Sequence, residues 1–120
     1  MTSASQREGA GIEVELDIFS GRENPSWTLA GEPAQTLRQK LADLSPGPVS
    51  PEPEHLGYRG FVLHVPEGRW RISNGTATLF PAPHPSGARG YQDDQQVEEW
   101  LLSVAEQLGH GPTIERFRSR

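Results

Sequence analysis

The chain has 120 residues, a formal net charge of −5 and no cysteine, and only 33% of its residues are hydrophobic. The length suits a single domain, and the missing thiols exclude disulfides, zinc–thiolate sites and cysteine catalysis. The acidic charge argues against nucleic acid as the main ligand, and no apolar run has the length of a membrane span or a secretory leader. We therefore expect a cytoplasmic protein without nucleic-acid or membrane partners.

The first half of the chain predicts a hairpin followed by a helix. Residues 1–10 lack periodicity and are predicted to be a flexible tail, ahead of one α+β domain over 11–109. Alternating aliphatic and acidic residues over 12–19 predict a strand, and residues 26–30 predict its hairpin partner. An apolar stripe predicts a helix over 33–44, and the proline-rich segment 45–54 predicts a stiff linker.

Residues 58–80 are predicted to form a three-stranded meander. Asn74-Gly75 is the strongest short signal for a type I′ hairpin. A two-residue turn there pairs apolar residues of one face, Ile72 with Ala77 and Trp70 with Leu79. A four-residue turn over 66–69 would continue that face and place Val65 opposite Trp70.

The last part of the chain predicts a loop, a helix and a tail. Residues 81–92 are rich in proline and glycine, and an apolar stripe over 97–108 predicts a helix capped by Asp93 or Asp94. Residues 110–120 are predicted to be a C-terminal tail. The order β-β-α-β-β-β-α predicts an α+β fold with two layers, in which two helices cover one face of a five-stranded, mostly antiparallel sheet. The polar face is expected to be solvated.

Seven side chains are candidates for ligand binding, because they lie in or beside the loops: Arg22, Asn24, Trp27, Tyr58, Arg59, His84 and Tyr91. Arg22 can form a two-pronged contact with a carboxylate or phosphate, and Gly21 would let that anion approach the backbone. The alternative is that Trp27 and Tyr58 belong to the core and that Arg59 faces solvent.

Asp17 and His64 are the candidates for acid–base catalysis. Asp17 shares the polar face of the first strand with Glu15, and a neighbouring strand that presents His64 or Arg71 there would complete a polar cluster. The alternative is a solvated sheet face. No two of the four histidines have metal-ligand spacing, so we predict no metal site and no cofactor.

The segment Leu16-Asp17-Ile18-Phe19-Ser20-Gly21-Arg22-Glu23-Asn24-Pro25-Ser26-Trp27 resembles one found in an uncharacterised family of small bacterial and fungal proteins. The resemblance continues more weakly over 56–61 and 99–102. The family has no assigned activity, so the resemblance implies no catalytic residue. In that family proline usually stands where this chain has Glu23, and the difference would loosen the loop.

The sequence favours a small binding or accessory module that presents loops 20–25 and 81–92 to a small anionic ligand or to a peptide or protein partner. The alternative is a small cofactor-free enzyme of specialised metabolism that uses acid–base chemistry. An enzyme should have a buried polar pocket with a perturbed titratable group. A binding module should have an exposed apolar patch or an unpaired strand edge, through which a homodimer is also possible.

Overall fold

The computed structural model describes residues 11–18, 23–50, 57–82 and 87–118. These residues form seven strands: β1 (Ile12–Leu16), β2 (Ser26–Leu29), β3 (Ser45–Pro46), β4 (Phe61–Val65), β5 (Gly68–Ser73), β6 (Thr76–Pro81) and β7 (Arg89–Gln92). They also form three helices: α1 (Gly31–Ala42), α2 (Val97–Gln107) and α3 (Gly111–Arg118). No helix in the described ranges is long and apolar enough to span a membrane.

The strands form one antiparallel sheet in the order β2-β1-β4-β5-β6-β7-β3, so that β2 and β3 are its edges. The predicted α+β class, the β1–β2 hairpin and the meander of β4, β5 and β6 are confirmed. Asn74 and Gly75 both have positive φ, 51° and 80°, as a type I′ turn requires. They place Ile72 opposite Ala77 and Trp70 opposite Leu79, as predicted.

The turn between β4 and β5 is two residues shorter than predicted. Val65 pairs with Gly68, and Trp70 pairs with Leu63 instead. A shift of two residues leaves every side chain on its expected face, since the strand period is two. Gly68 permits the short turn, because its φ is +147° and a Cβ there would lie 2.2 Å from the carbonyl oxygen of Phe80.

The predicted numbers of five strands and two helices are both too low. The additional strands lie in the segments predicted as linker and loop, where β3 and β7 pair Ser45 with Gln92. The additional helix, α3, lies in the predicted C-terminal tail, and its Ile114 is 5% exposed within the core. Each of these elements is short and depends on tertiary contacts, so none carries a visible repeat of its own.

The apolar face of the sheet and the helices together form the core. The sheet contributes buried residues from four strands in the middle of its face, among them Val14, Leu16, Phe61, Leu63, Ile72 and Ala77. The helices contribute Ala34, Leu37, Val97, Leu101 and Ala105. The N-cap residue of α2 is Gln96 and not Asp93 or Asp94 as predicted, but the carboxylate of Asp93 still accepts hydrogen bonds from the backbone N–H groups of Val97 and Glu98 in the first turn.

The opposite face, called here the outer face, is not simply solvated as predicted. Residues 47–50, called here the strap, cross it above β6 and β7. Ser50 donates its backbone N–H to Thr78 Oγ1 at 3.1 Å and its hydroxyl to Thr76 Oγ1 at 3.0 Å. Thr78 is 1% exposed as a result. The strap therefore covers the outer face where it passes.

Ser45, at the start of β3, anchors this edge of the sheet to the residues before α2. Its hydroxyl and its backbone N–H both donate to the carboxylate of Asp94. These hydrogen bonds hold the pKa of Asp94 below its usual value, and the bond from the Ser45 hydroxyl has the largest effect.

Candidate functional site

A cluster of charged side chains lies on the outer face, where β1, β4 and β5 adjoin. The Oδ1 atom of Asp17 accepts hydrogen bonds from Arg59 Nε at 3.2 Å and from Arg59 Nη2 at 2.9 Å. Its Oδ2 atom accepts one from Arg71 Nη2 at 2.5 Å. The three side chains are 13–15% exposed. One carboxylate thus holds two largely buried guanidinium groups.

A bulge in the β1–β4 ladder turns Arg59 towards this cluster. The backbone N–H of Asp17 donates to the carbonyl oxygen of Gly60 at 2.9 Å, whereas its carbonyl oxygen accepts from the N–H of Arg59 at 2.8 Å. Two residues therefore oppose one, which is the pairing of a β-bulge. In an unbroken ladder Arg59 would share the core face with Phe61, so the additional residue reverses its side.

Asn24 connects the chain returning from the β1–β2 loop to the same cluster. Its Oδ1 accepts from the backbone N–H of Ile18 at 3.0 Å, and its Nδ2 donates to Glu15 Oε2 at 2.7 Å. On the other side of Glu15, the distance from Oε1 to His64 Nε2 is 3.2 Å. The fold therefore brings together Asp17, Asn24, Arg59 and His64 of the predicted residues.

The geometry of the cluster is better suited to holding the neighbouring strands together than to proton transfer. Both oxygens of Asp17 accept hydrogen bonds from arginine, and the side chains of His64 and Glu15 are 43% and 32% exposed instead of lying in a closed pocket. Within the described residues, no group of three His, Asp or Glu side chains is close enough to hold a metal ion. The catalytic roles of Asp17 and His64 stay predictions.

The other predicted ligand-binding residues lie elsewhere. Tyr58 donates its hydroxyl to the carboxylate of Glu98 in α2, and its ring packs edge-on against Phe61 at 6.3 Å between centroids. Tyr91 is half-buried, with its ring 5.4 Å from that of Trp70. Arg22 and His84 lie outside the described residues. The described candidates are therefore divided between the two faces of the sheet.

An apolar groove of about 460 Å³ lies beside the sheet edge formed by β2. It is lined by Trp27, Thr28 and Leu29 of β2, by Glu32, Pro33 and Thr36 of α1, and by Trp100, Ser103, Val104, Gln107 and Leu108 of α2 and its C-terminal cap. Leu108 is 51% exposed, so part of this apolar surface is open to solvent. Nothing in the described part of the chain covers this groove, and about half of its lining residues are apolar.

Trp27 belongs both to the core and to this groove. Its ring stacks on the ring of His110 with 5.1 Å between centroids and packs edge-on against Phe61 at 6.4 Å. These contacts fix the ring between the sheet and the segment that leads into α3. The alternative prediction, that Trp27 packs in the core, agrees with this position, and the same ring forms part of the groove.

The backbone of β2 presents hydrogen-bonding groups at the open edge beside the groove. The N–H of Leu16 donates to the carbonyl oxygen of Pro25 at 2.9 Å, and this bond sets the phase of the β1–β2 ladder. Bonded and non-bonded pairs alternate in an antiparallel ladder. Trp27 and Leu29 therefore bond to β1, whereas the N–H and C=O groups of Ser26 and Thr28 point away from it. No described strand pairs with them.

Sequence reasoning missed the groove, although a signal for it was present. The apolar stripe over 97–108 predicted a helix that covers the sheet, but Trp100 and Val104 are only partly buried and Leu108 is exposed. The apolar face of α2 is therefore wider than the part of the helix that packs against the sheet. An apolar stripe of that width next to a sheet edge is the pattern that would have indicated a docking surface.

The comparisons with known proteins found no relative. The chain matches no protein-family model, no curated protein and no solved structure. The resemblance carried by residues 16–27 therefore stays a prediction.

Proposed function

We propose that this chain is a small binding module that takes up an extended segment of polypeptide along the open edge of β2. The observation that supports the proposal is that the β2 edge, which no described strand covers, lies beside a groove lined by two tryptophans and other apolar side chains. Proteins that bind peptides by strand addition combine these two features. The edge provides backbone hydrogen bonds, and the groove accepts alternate side chains.

The dimensions of the site suit this mode of binding. Ser26 and Thr28 offer two N–H and two C=O groups to an added strand. Every second side chain of that strand would point to the same face as Trp27 and Leu29, with a spacing of about 6.6 Å. There it would meet Trp100 and Val104 of α2. The volume of about 460 Å³ lies within the range of roughly 300–1,000 Å³ that is usual for ligand sites.

The same features support binding over catalysis. Among the described residues that line the groove, Glu32 is the one charged residue and none is a histidine, although His110 stacks on Trp27 from outside the lining. The charged cluster of the outer face pairs its central carboxylate with Arg59 and Arg71. The proposal keeps the peptide or protein partner expected from the sequence, but moves its site from the loops 20–25 and 81–92 to the edge of β2.

Substitution of Thr28 by proline tests the proposal. Proline removes the N–H that Thr28 directs to the open edge but leaves the bonds between β2 and β1 intact, so the sheet should fold. Peptides enriched from a displayed random library should bind the Thr28→Pro variant at least about tenfold more weakly by fluorescence anisotropy, the effect of losing one backbone hydrogen bond and the close approach it permits.

Two further variants complete this test. Thr28→Val retains the N–H and should weaken binding much less than Thr28→Pro does. Val104→Glu places a charge in the groove and should weaken binding without altering the circular dichroism spectrum of the folded protein. Enriched peptides that bind Thr28→Pro as tightly as Thr28→Val would contradict strand addition.

A further inference from the structure

Trp27 forms part of the groove wall, but no hydrogen bond within the described residues fixes its ring. The indole Nε1 atom is buried and has no hydrogen-bond partner among them. A buried tryptophan usually finds an acceptor for this N–H group, and the bond then sets how the ring is turned. The orientation of the Trp27 ring therefore depends on its packing against other side chains.

Two aromatic rings contact the indole of Trp27. The ring of Phe61 lies at 6.4 Å between centroids with an interplanar angle of 77°, which is an edge-on contact. The ring of His110 is closer, at 5.1 Å, and nearly parallel to the indole, at 18°. His110 is thus the side chain that covers the flat surface of the indole, and a stacked ring resists the turning of that surface.

The backbone of His110 is fixed by the two helices that it joins. Its N–H group donates to the carbonyl oxygen of Ala105 in α2 at 2.9 Å, and its carbonyl oxygen accepts from the N–H of Ile114 in α3 at 3.0 Å. Ile114 is in turn buried in the core. The imidazole therefore extends from a rigid corner of the fold, and a ring held in this way can hold the ring that it touches.

His110 does not belong to the described lining of the groove. Its influence on an occupant would therefore pass through Trp27, which contacts both the imidazole and the groove.

We infer that His110 is a positioning residue for the groove, because its imidazole holds the ring of Trp27 in the orientation that receives the added strand. The inference rests on the proposed function and adds a residue outside the lining on which binding depends. Without the stack, the indole would have more freedom to turn, and binding would have to order it at a cost in conformational entropy.

The variants His110→Gln and His110→Phe test the inference. Glutamine keeps a polar side chain but has no ring, whereas phenylalanine has a ring that can stack on the indole. With the peptides enriched against the natural protein, His110→Gln should weaken binding about threefold to tenfold, the usual effect of losing one aromatic pair. His110→Phe should restore most of the affinity. Fluorescence anisotropy measures the binding, and urea denaturation measures the stability of each variant.

Trp70 and Tyr91 provide the matched control. The Nε1 atom of Trp70 is likewise buried with no partner among the described residues, and the ring of Tyr91 lies 5.4 Å from its ring. Neither residue is in the described lining of the groove. Tyr91→Gln should therefore lower the free energy of unfolding but leave the affinity for the peptides unchanged. This comparison separates the positioning of Trp27 from a general loss of stability.

The outcomes distinguish the inference from the proposed function. Peptides that bind His110→Gln as tightly as the natural protein, while Thr28→Pro weakens them, would overturn the inference and leave the proposed function intact. A loss in His110→Gln that His110→Phe does not restore, or an equal loss in Tyr91→Gln, would also overturn it. Binding that Thr28→Pro does not weaken would overturn the proposed function itself.

Discussion

The carboxylate of Asp17 is the common partner of Arg59 and Arg71, and all three side chains are largely buried. The substitution Asp17→Asn would remove the negative charge that Arg59 and Arg71 share, in a cluster whose side chains are only 13–15% exposed. We expect the free energy of unfolding to fall by about 3 kcal/mol, since removing one partner of a largely buried charge pair is strongly destabilising. Urea denaturation measures this loss.

The pair of His64 and Glu15 is the control for that experiment, because it lies on the same face but is much more exposed. His64→Gln should cost less than about 1 kcal/mol, as is usual for exposed ion pairs. Similar losses for Asp17→Asn and His64→Gln would show that the arginine pair is no more important to the fold than an ordinary surface contact.

Only part of the charged cluster on the outer face could be predicted from the sequence, and the reason is physical. Strand alternation alone places Glu15 and Asp17 on the face of His64 and Arg71, so that part followed from the period of two. Alternation gives the wrong face for Arg59, because the bulge opposite Asp17 is invisible in the order of residues. The contribution of Asn24 depends on how the hairpin loop returns, which turn chemistry alone does not fix.

The strap depends on a glycine in the strand beneath it. A Cβ on Gly90 would lie 2.1 Å from the carbonyl oxygen of Pro48, a backbone atom that cannot move alone. Gly90→Ala should therefore displace the strap, expose Thr78 and lower the free energy of unfolding by about 1–3 kcal/mol, the usual cost of overpacking. Urea denaturation measures the stability, and faster hydrogen exchange at the Ser50 amide would report the displaced strap.

Gly111 at the start of α3 is the matched control. A Cβ there would first meet the flexible side chain of Glu106, at 3.4 Å, and alanine is the better helix former. Gly111→Ala should therefore leave the stability unchanged or raise it slightly, with normal exchange at Ser50. A Gly90→Ala variant as stable as Gly111→Ala would mean that the strap does not contribute to the fold.

Elements with a strong repeat were predicted from the sequence, and elements without one were not. The alternation of β1, the Asn74-Gly75 turn and the stripe of α2 each reflect the contact surface that the element buries. By contrast, β3 has two residues and pairs with β7 across a large sequence separation, so no local pattern reports it. The α3 helix is held by Ile114, which packs in the core. The sequence of this short, arginine-rich segment does not indicate that tertiary contact.

The helices cover one face of the sheet, and the strap covers part of the other face over β6 and β7. The edges therefore decide how the molecule meets other chains. The β3 edge is two residues long and contains Pro46, which cannot donate a hydrogen bond. The β2 edge is longer and lies beside uncovered apolar surface, so it is the edge at which a partner is expected.

The charges around β2 disfavour a second copy of this chain as that partner. In an antiparallel pairing of two β2 edges, a twofold axis would bring Glu23 of each copy towards Glu32 of the other, and like charges placed opposite one another are destabilising. We therefore expect the homodimer that the sequence left open to be disfavoured at low salt. We expect sedimentation equilibrium in about 20 mM NaCl to give the monomer mass of 13.2 kDa at concentrations of about 100 μM.

Removal of both charges by Glu23→Gln and Glu32→Gln should shift the distribution towards a dimer, since the open edge and the apolar groove remain. A natural protein that is dimeric at low salt, or a neutralised variant that stays monomeric, would show that these carboxylates do not keep the edge available.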